Sequence, residues 1–367
     1  MLRSSLAPYL LWAKSRQPAA IDLAGSNLLH CSLEELPGAR EALELTAPND
    51  NGYAPVVDGI AAHYRVDRAR VSCATGCSGA NFLVAAALLS AGDDVLIERP
   101  TYDPLIGVCR LMGADVHRFD RTFDAGFGLD PDAVARVMTP RTKLIIVTSP
   151  HNPSGAAAGD EALRAVIQMA ERVGAHVLVD EVYLDAASRA RGAHGPDHSA
   201  ARLEGPVIVT ASLTKSYGLA GLKSGWAIAP PAIAERLRRT RDLVDNAGSA
   251  PSDRLAALAW SMLPQLIARA GTILGGNLAR AREFFLAHPQ FELAERPWCS
   301  VTFPRIAGVP DAEAWVQRVL NQHGVAVAPG RFFESPAHFR ISLAGRPEAL
   351  ESGLAALAAA SREILPS

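Results

Sequence analysis

Short apolar runs alternate with longer helical patterns through the middle of the chain. The runs have strand length and are nearly continuous in apolar residues, which is typical of strands buried on both faces of a parallel sheet. Good helix formers lie between them, as at 80–90 and 160–173. This alternation predicts an open α/β sheet. The predicted strands are residues 71–74, 94–98, 143–148, 176–180, 207–211 and 225–229.

The pattern changes after about residue 251. A long helical stretch is followed by short strand-like pieces and a closing helix, an order that predicts a smaller α+β domain. The first 45 residues have no obvious sheet of their own, and we expect them to pack with it. We therefore expect a large α/β domain at 46–253 and a small domain formed by 1–45 and 254–367. The pieces are a helix at 254–288, strands at 291–303, 324–328 and 339–343, and a helix from Pro347.

Composition and charge narrow the class of protein. A hydrophobic content of 49 % with 20 % charged residues is typical of a globular protein. The net charge of −2 gives no electrostatic reason to expect nucleic acid, and no stretch reaches the roughly 18 apolar residues of a membrane span. The five cysteines include no CxxC pair, and no Cys or His pair accompanies Cys73 and Cys77 at metal-ligand spacing. We expect no metal site, reduced thiols and a cytoplasmic location.

Polar residues follow several of the predicted strands. Ligands of an open parallel sheet bind at the carboxyl ends of its strands, so these residues are candidates for a site. Asp180 ends the strand at 176–180, and a carboxylate buried there needs a partner. Tyr183 follows it, and Asn152 and Tyr102 follow two other strands. Asp180 as a helix N-cap and Asn152 as a turn residue are the plainer interpretations.

Two further candidates are a glycine-rich turn and a lysine. The turn at Gly76, Cys77 and Ser78 leads into a helix, whose free N–H groups and dipole suit a phosphate, although a plain tight turn is the alternative. Lys215 follows the strand at 207–211, in a chain with only four lysines among 36 basic residues. An amine can lose its proton and attack a carbonyl, which a guanidinium cannot. The plainer interpretation of Lys215 is a surface lysine in a loop.

One small molecule uses all of these groups together, namely pyridoxal phosphate (PLP). Lys215 would hold its aldehyde and move a proton, and Asp180 would keep its ring nitrogen protonated. Asn152 and Tyr183 would hydrogen-bond the ring oxygen, and Tyr102 would stack on the ring. The groups expected to bind the phosphate are Gly76, Cys77, Ser78, and Ser212 or Thr214.

Eight short motifs occur in order along the chain. They are Asn51-Gly52-Tyr53, the turn at Gly76, Pro100-Thr101-Tyr102, Asn152-Pro153-Ser154-Gly155, Asp180-Glu181-Val182-Tyr183, Ser212-Leu213-Thr214-Lys215 with Gly221-Leu222-Lys223-Ser224-Gly225, Gly324-Val325-Ala326-Val327-Ala328-Pro329-Gly330, and Phe339-Arg340-Ile341-Ser342. Each is weak alone, but together they resemble the fold-type I aminotransferases of class I/II, the family of aspartate and aromatic aminotransferases. The resemblance implies a three-layer sandwich with a mostly parallel central sheet, plus a smaller α+β domain.

The resemblance also implies an activity and partners. The expected reaction moves an amino group between an L-amino acid and a 2-oxo acid through a Lys215 Schiff base, and the alternative is a PLP-dependent lyase or amino-acid cyclase. Tyr53 is expected to reach the phosphate in a neighbouring subunit, which implies a homodimer with shared active sites. Arg340 is expected to clamp the substrate carboxylate, an ordinary strand-surface arginine being the plainer interpretation. A regulatory protein that binds DNA is disfavoured by the charge.

The chain departs from the family pattern at two places. Lys223 stands where the family usually has arginine against the phosphate, so the positive charge remains but the planar fork is lost. Gly25-Ser26-Asn27 stands where the family often has a Gly-x-Pro turn. We expect Gly25 still to approach the substrate, while the other two residues change the pocket.

Substrate specificity is constrained only weakly by the sequence. No arginine occurs between Asp242 and Asp253, where a second carboxylate clamp is expected in enzymes specific for dicarboxylates. This argues mildly against aspartate as the best donor. Arg241 and Arg331 keep the possibility open.

Overall fold

The computed structural model describes residues 7–49, 51–190, 195–295 and 297–362, and its strands fall into one large sheet and several small ones. The strands are β1 Ile21–Asp22, β2 Val71–Thr75, β3 Asp94–Arg99, β4 Asp115–Asp120, β5 Thr142–Thr148, β6 His176–Asp180, β7 Val207–Ser212, β8 Ser224–Ile228, β9 Phe291–Glu292, β10 Val301–Thr302, β11 Arg305–Ile306, β12 Val325–Ala326, β13 Ala328–Pro329 and β14 Phe339–Ser342.

Helices precede, separate and follow the strands of the large sheet. They are α1 Pro8–Ser15, α2 Ala54–Tyr64, α3 Gly76–Leu88, α4 Asp103–Leu111, α5 Pro131–Val137, α6 Asp160–Val173, α7 Leu184–Ala190, α8 Leu213–Tyr217, α9 Pro231–Asp242, α10 Ala250–Ser261, α11 Leu263–Ala287, α12 Glu313–His323 and α13 Pro347–Ser361.

The large sheet has seven strands in the order β2-β8-β7-β6-β5-β3-β4. All neighbouring pairs are parallel except those made by β8, which is antiparallel to both β2 and β7. Separate apolar clusters pack on the two faces of the sheet, where the side chains of each strand alternate. The result is a sheet between two layers of helices, as the sequence pattern predicts.

The register of the sheet brings the ends of its central strands together. Thr148 at the end of β5 pairs with Asp180 at the end of β6, and Asp180 pairs with Thr210 in β7. Ser212, which ends β7, pairs with Gly225 in β8. The polar residues that follow these strands therefore start from one edge of the sheet.

A third apolar cluster lies among α11, α12, α13 and the short C-terminal strands. The N-terminal segment joins it, because β1 pairs in parallel with β12 and Leu23 and Leu28 are part of the cluster. Residues 21–28 therefore pack with the C-terminal part of the chain. The division into domains at 46–253 and at 1–45 with 254–367 stays a prediction.

Several elements differ from the sequence prediction. The predicted strand at 291–303 is two short strands, β9 and β10, and the one at 324–328 is likewise β12 and β13, because these strands pair with separate partners. Strand β4 was not predicted, because at the edge of the sheet most of its residues are exposed or half-buried and it lacks an apolar run. Helix α3 begins at Gly76 rather than residue 80, so the glycine-rich turn is itself the first turn of the helix. The helical stretch at 254–288 is two helices, which are separated at Met262.

Candidate active site

A cavity of about 600 Å³ lies at the carboxyl ends of β5, β6 and β7, beside the start of α3. Its walls come from the large sheet, from the N-terminal segment and from Ser342 and Gly345 near the C-terminus. The structure thus brings together most of the residues that the sequence predicts for the site. Those that line the cavity are Gly25, Gly76, Cys77, Ser78, Tyr102, Asn152, Asp180, Tyr183, Ser212, Thr214, Lys215 and Lys223.

Tyr53 and Arg340 are the predicted residues that do not line it. Tyr53 immediately precedes α2, is half-buried and packs against the core under the sheet. Arg340 is buried on β14 and donates to Asn152 Oδ1 at 2.8 Å and to the Tyr9 hydroxyl at 2.6 Å. It is therefore not a surface arginine, and it contacts the cavity wall through Asn152.

The turn expected to bind a phosphate has a backbone that only glycine permits easily. Gly76 has a φ of +73°, in the left-handed region. Gly225 in β8 packs against it so closely that a Cβ at Gly225 would lie 2.3 Å from the Gly76 carbonyl carbon. The first-turn N–H groups of α3, at Cys77 and Ser78, have no partner within the helix, so they can bind an anion at its positive end.

Asp180 is a buried carboxylate at the wall of the cavity. It accepts hydrogen bonds from Asn81 Nδ2 at 2.9 Å and from the Val182 N–H at 3.1 Å. Asn81 is itself held by the Thr210 hydroxyl, which donates to Asn81 Oδ1 at 2.6 Å. Burial raises the pKa of Asp180, and these hydrogen bonds oppose the rise. Asp180 has no ion pair with the residues that the structure describes, so it suits a cationic partner inside the cavity.

Lys215 lies in α8, directly after β7, and its amine reaches the cavity. Nζ donates to Ser26 Oγ at 3.0 Å and to Asn27 Oδ1 at 2.6 Å. Burial lowers the pKa of Lys215 to about 8, and the charge of Arg340 adds to the effect. The position is not an exposed loop. A substantial fraction of this amine is neutral at mildly alkaline pH, as a nucleophile requires.

Tyr183 and Tyr102 are two tyrosines that line the cavity. The Tyr183 hydroxyl is buried, and no hydrogen-bond partner for it occurs among the described residues. Burial raises its pKa, so it remains a neutral donor. Tyr102 packs edge-on to Tyr9, with 6.0 Å between the ring centroids. Among the described residues, the Tyr183 hydroxyl has no hydrogen-bond partner and the Asp180 carboxylate has no ion pair. With the start of α3, these groups fit a ligand that has an acceptor oxygen, a cationic ring nitrogen and a phosphate.

Several residues of the site were not predicted from the sequence. Asn81 lies one turn into α3, and its position in a helix gives no sign that its side chain contacts Asp180 at the end of β6. Tyr9 on α1 lines the cavity and contacts Arg340, 331 residues away in the chain. Ser26 and Asn27 were predicted to change the pocket, but their contact with Lys215 depends on tertiary packing.

Within the described residues, no cluster of three or more His, Cys, Asp and Glu side chains could hold a metal ion. No helix in the same part of the chain is long and apolar enough to cross a membrane.

Residues 27–357 match the family described as aminotransferase class I and II. The chain belongs to this family. Capreomycidine synthase of Streptomyces vinaceus is 31 % identical to this aminotransferase over 364 residues, which cover 96 % of this chain and 92 % of that protein. A probable N-succinyldiaminopimelate aminotransferase of Mycobacterium tuberculosis is 30 % identical over 307 residues, or 79 % and 75 % of the two chains.

Solved structures agree with the family assignment. A PLP-dependent aminotransferase from Streptococcus suis matches this aminotransferase with a TM-score of 0.88 and 26 % identity over 100 % of both chains. The PLP-dependent cyclase OrfR matches with a TM-score of 0.85 and 26 % identity, covering 98 % of this chain and 97 % of that chain. The predictions of the fold, of PLP as cofactor and of a PLP-dependent aminotransferase are confirmed. The synthase and the cyclase match the alternative activity predicted from the sequence.

Proposed function

We propose that Lys215 forms a Schiff base with PLP in the 600 Å³ cavity and that the enzyme there moves an amino group between an L-amino acid and a 2-oxo acid. The observation that carries this proposal is that Lys215, the buried Asp180 and the start of α3 line one cavity, and that Asp180 has no ion pair with the described residues. PLP, when bound, supplies an electron sink for the carbanion at the substrate Cα. The protein's residues position the substrate and move its protons.

Each lining residue has a proposed role that follows from its chemistry. Asp180 keeps the ring nitrogen protonated, and the hydrogen bond from Asn81 orients its carboxylate. Asn152 and Tyr183 donate to the ring oxygen, since Tyr183 has no other partner among the described residues. The proposed phosphate ligands are Gly76, Cys77, Ser78, Ser212, Thr214 and Lys223, with Tyr53 of a second subunit.

Lys215 is the proposed acid and base. Its amine lies inside the cavity, and its lowered pKa of about 8 leaves a neutral fraction that can accept a proton from the substrate Cα. The same group, once protonated, can return that proton to the cofactor carbon. One residue can therefore perform both halves of the proton transfer.

Arg340 is the proposed clamp for the substrate carboxylate. It already contacts Asn152 at the cavity wall, and its buried Nε has no partner among the described residues. A substrate carboxylate in the cavity can accept the hydrogen bond that the Arg340 guanidinium now donates to Asn152 Oδ1. Gly25 lines the same wall, where its lack of a side chain leaves room for the substrate.

Neither candidate for a second carboxylate clamp lines the cavity. Arg241 is buried and pairs with Asp245, with Nε 2.9 Å from Oδ1. Arg331 pairs with Glu313, with Nε 3.2 Å from Oε2. These pairings support a donor other than a dicarboxylic amino acid.

Cyclisation or elimination is the second candidate. Capreomycidine synthase matches nearly the whole chain, whereas the N-succinyldiaminopimelate aminotransferase matches about four-fifths of it. The polar residues Ser26 and Asn27 also stand beside Lys215 where the family often has a Gly-x-Pro turn. A pocket with this wall can favour a different bond cleavage on the same cofactor.

Product analysis separates the two activities. The holoenzyme is incubated with a panel of L-amino acids, with and without pyruvate or 2-oxoglutarate, and the products are identified by mass spectrometry. Amino transfer predicts a new amino acid only when the oxo acid is present. Ammonia, water loss or a ring-closed product that forms without any oxo acid supports the second candidate instead.

We further propose that the protein is a homodimer in the reducing environment of the cytoplasm. Each subunit would have a large domain at 46–253 and a small domain formed by 1–45 and 254–367. Tyr53 does not line the cavity of its own chain, which supports a role in a neighbouring one. The five cysteines are free thiols, which suits a reducing compartment.

A further inference from the structure

The amine of Lys215 is held by two neutral acceptors from the N-terminal segment. The Nζ–Asn27 Oδ1 distance is 2.6 Å and the Nζ–Ser26 Oγ distance is 3.0 Å. A proline at position 27, as in the Gly-x-Pro turn, has no side-chain acceptor. The contact from Asn27 is therefore a property of this sequence rather than of the common pattern.

The two acceptors match the N–H bonds of the neutral form of Lys215. The ammonium form has three N–H bonds, and loss of one proton leaves two N–H bonds and one lone pair. When Ser26 and Asn27 accept both N–H bonds, the lone pair is directed away from them. Lys215, Ser26 and Asn27 all line the cavity, so a lone pair that points away from the two acceptors is available to a ligand bound there.

Backbone hydrogen bonds fix the segment that carries the two acceptors. The Leu23 N–H donates to Ala326 O and the Leu29 N–H donates to Ala344 O, each at 2.8 Å. Ser26, between these two points, is buried. The acceptors are thus anchored on both sides by the C-terminal part of the chain, and they hold Lys215 from outside its own helix.

Charged and titratable groups also face Lys215. The positive charges of Arg340 and Lys223 disfavour its ammonium form, whereas Cys77 and Asp180 favour it. Tyr102, Tyr183, Lys14 and Asp22 line the same cavity. Ser26 and Asn27 are the direct hydrogen-bond partners of Lys215 among the described residues. They therefore determine the orientation of its amine, while the surrounding charges influence whether the amine is protonated.

We propose that Asn27, together with Ser26, is a positioning residue that directs the lone pair of Lys215 toward the cofactor aldehyde and then toward the substrate Cα–H. In the first step Nζ would bond to the aldehyde carbon, and the aldehyde oxygen would leave as water with both amine protons. The substrate amine would then take over that carbon and release Lys215 as a free amine, whose Nζ would accept the Cα proton in the second step. This inference rests on the proposed role of Lys215.

The test measures the reaction of Lys215 with PLP in the cofactor-stripped full-length protein. The complex is trapped with borohydride at a series of times and pH values, and mass spectrometry measures the modification of Lys215. The variants are Asn27→Ala, Asn27→Gln and Asn27→Asp. Asn321→Ala, at an exposed position on α12, is the matched control.

The expected results differ in direction among the variants. Asn27→Ala lowers the limiting rate of modification at high pH by about tenfold, because the amine is no longer oriented. Asn27→Gln, which keeps the amide, recovers part of that rate. Asn27→Asp moves the midpoint of the pH profile upward by about one unit, because a carboxylate beside the amine favours its charged form. Asn321→Ala changes neither quantity.

Two other outcomes are distinguishable. In the first, Lys215 is modified, but every Asn27 variant has a rate within about twofold of the parent's and the same pH midpoint. This result overturns the positioning role of Asn27 and leaves the role of Lys215 intact. If Lys215 of the parent protein is not modified at any pH, the proposed function and the inference that depends on it both fail.

Discussion

At the scale of single residues, the site depends on buried polar groups that are left partly unsatisfied. Asp180 has hydrogen-bond donors but no ion-pair partner among the described residues, and the buried Tyr183 hydroxyl has none of either kind. Unsatisfied buried groups cost free energy of folding, so proteins keep them where a ligand completes the contacts. In the function that we propose, PLP would complete the contacts of both groups.

Asp180 and Asn81 are predicted to affect the enzyme by different amounts. Asp180→Asn removes the negative charge that keeps the ring nitrogen protonated, so kcat should fall by at least about 100-fold. Asn81→Ala removes one hydrogen bond to a charged group, so kcat should fall by about 10-fold to 100-fold. Steady-state kinetics at saturating PLP checks both. Equal losses in the two variants contradict the proposed chain of contacts.

Lys223 is predicted to bind the phosphate mainly through its charge. It is exposed at the cavity, and its side chain has no ion pair with the described residues. Lys223→Gln should weaken PLP binding by about tenfold, whereas Lys223→Arg should keep or improve it because the guanidinium adds a second donor. Fluorescence titration of the apoenzyme with PLP measures the dissociation constants. Unchanged binding in Lys223→Gln excludes this role.

At the scale of elements, the buried parts of the fold were predictable and the exposed or tertiary parts were not. The strand that ends at Asp180 was predicted with the bounds observed, because a continuous apolar run signals burial on both faces. Strand β4 has no such run, and its pairing with β3 decides its structure. The residues of the site divide in the same way, into those that the sequence pattern identifies and those that depend on tertiary contacts. Lys215 follows a strand and was identified, whereas the role of Asn81 depends on a contact between helix α3 and the end of β6.

Asp94, at the start of β3, should link folding stability to pH. Its pKa is held at about 2, below the ordinary value, chiefly by the hydrogen bond from Thr139 and further by His117 and Arg141. The folded protein therefore binds this proton less readily than the unfolded chain. The contribution of Asp94 to the free energy of unfolding is complete above the pKa that this group has in the unfolded chain, and it is lost as the pH falls toward 2.

The comparison of Asp94→Asn with the parent protein tests this linkage. Urea unfolding at pH values between 2 and 7 should show a stability difference that is large at neutral pH and shrinks below pH 4. Asp115→Asn, on the exposed end of β4, is the control and should follow the parent at every pH. A stability difference for Asp94→Asn that does not depend on pH contradicts the assignment.

At the scale of the whole molecule, one of the proposed cofactor-binding residues lies outside the cavity of its own chain. Eleven of the twelve cofactor-binding residues proposed here line one cavity, and Tyr53 is the exception. In a homodimer with shared sites, Tyr53 of each subunit serves the cavity of the other. This assembly is a proposal, and the position of Tyr53 makes it testable.

Mixing two defective variants tests the shared site. Lys215→Ala and Tyr53→Ala are each purified, then unfolded and refolded together. A hybrid dimer has one site with both Lys215 and Tyr53, so about a quarter of all sites should recover at limiting PLP. Each variant refolded alone should stay defective. If mixing recovers no activity although size-exclusion chromatography shows dimers, Tyr53 acts within its own chain or not at all.

The most direct test of the whole account is the identity of the residue that binds PLP covalently. The absorbance of the purified protein with PLP is recorded, and the sample is then reduced with borohydride and mapped by mass spectrometry, with Lys215→Ala and Lys143→Ala beside it. We predict a band at about 360–430 nm and the reduced cofactor on Lys215. The covalent product should be lost only in Lys215→Ala. Attachment to Lys223 or another lysine, or no attachment in the parent protein, contradicts the account.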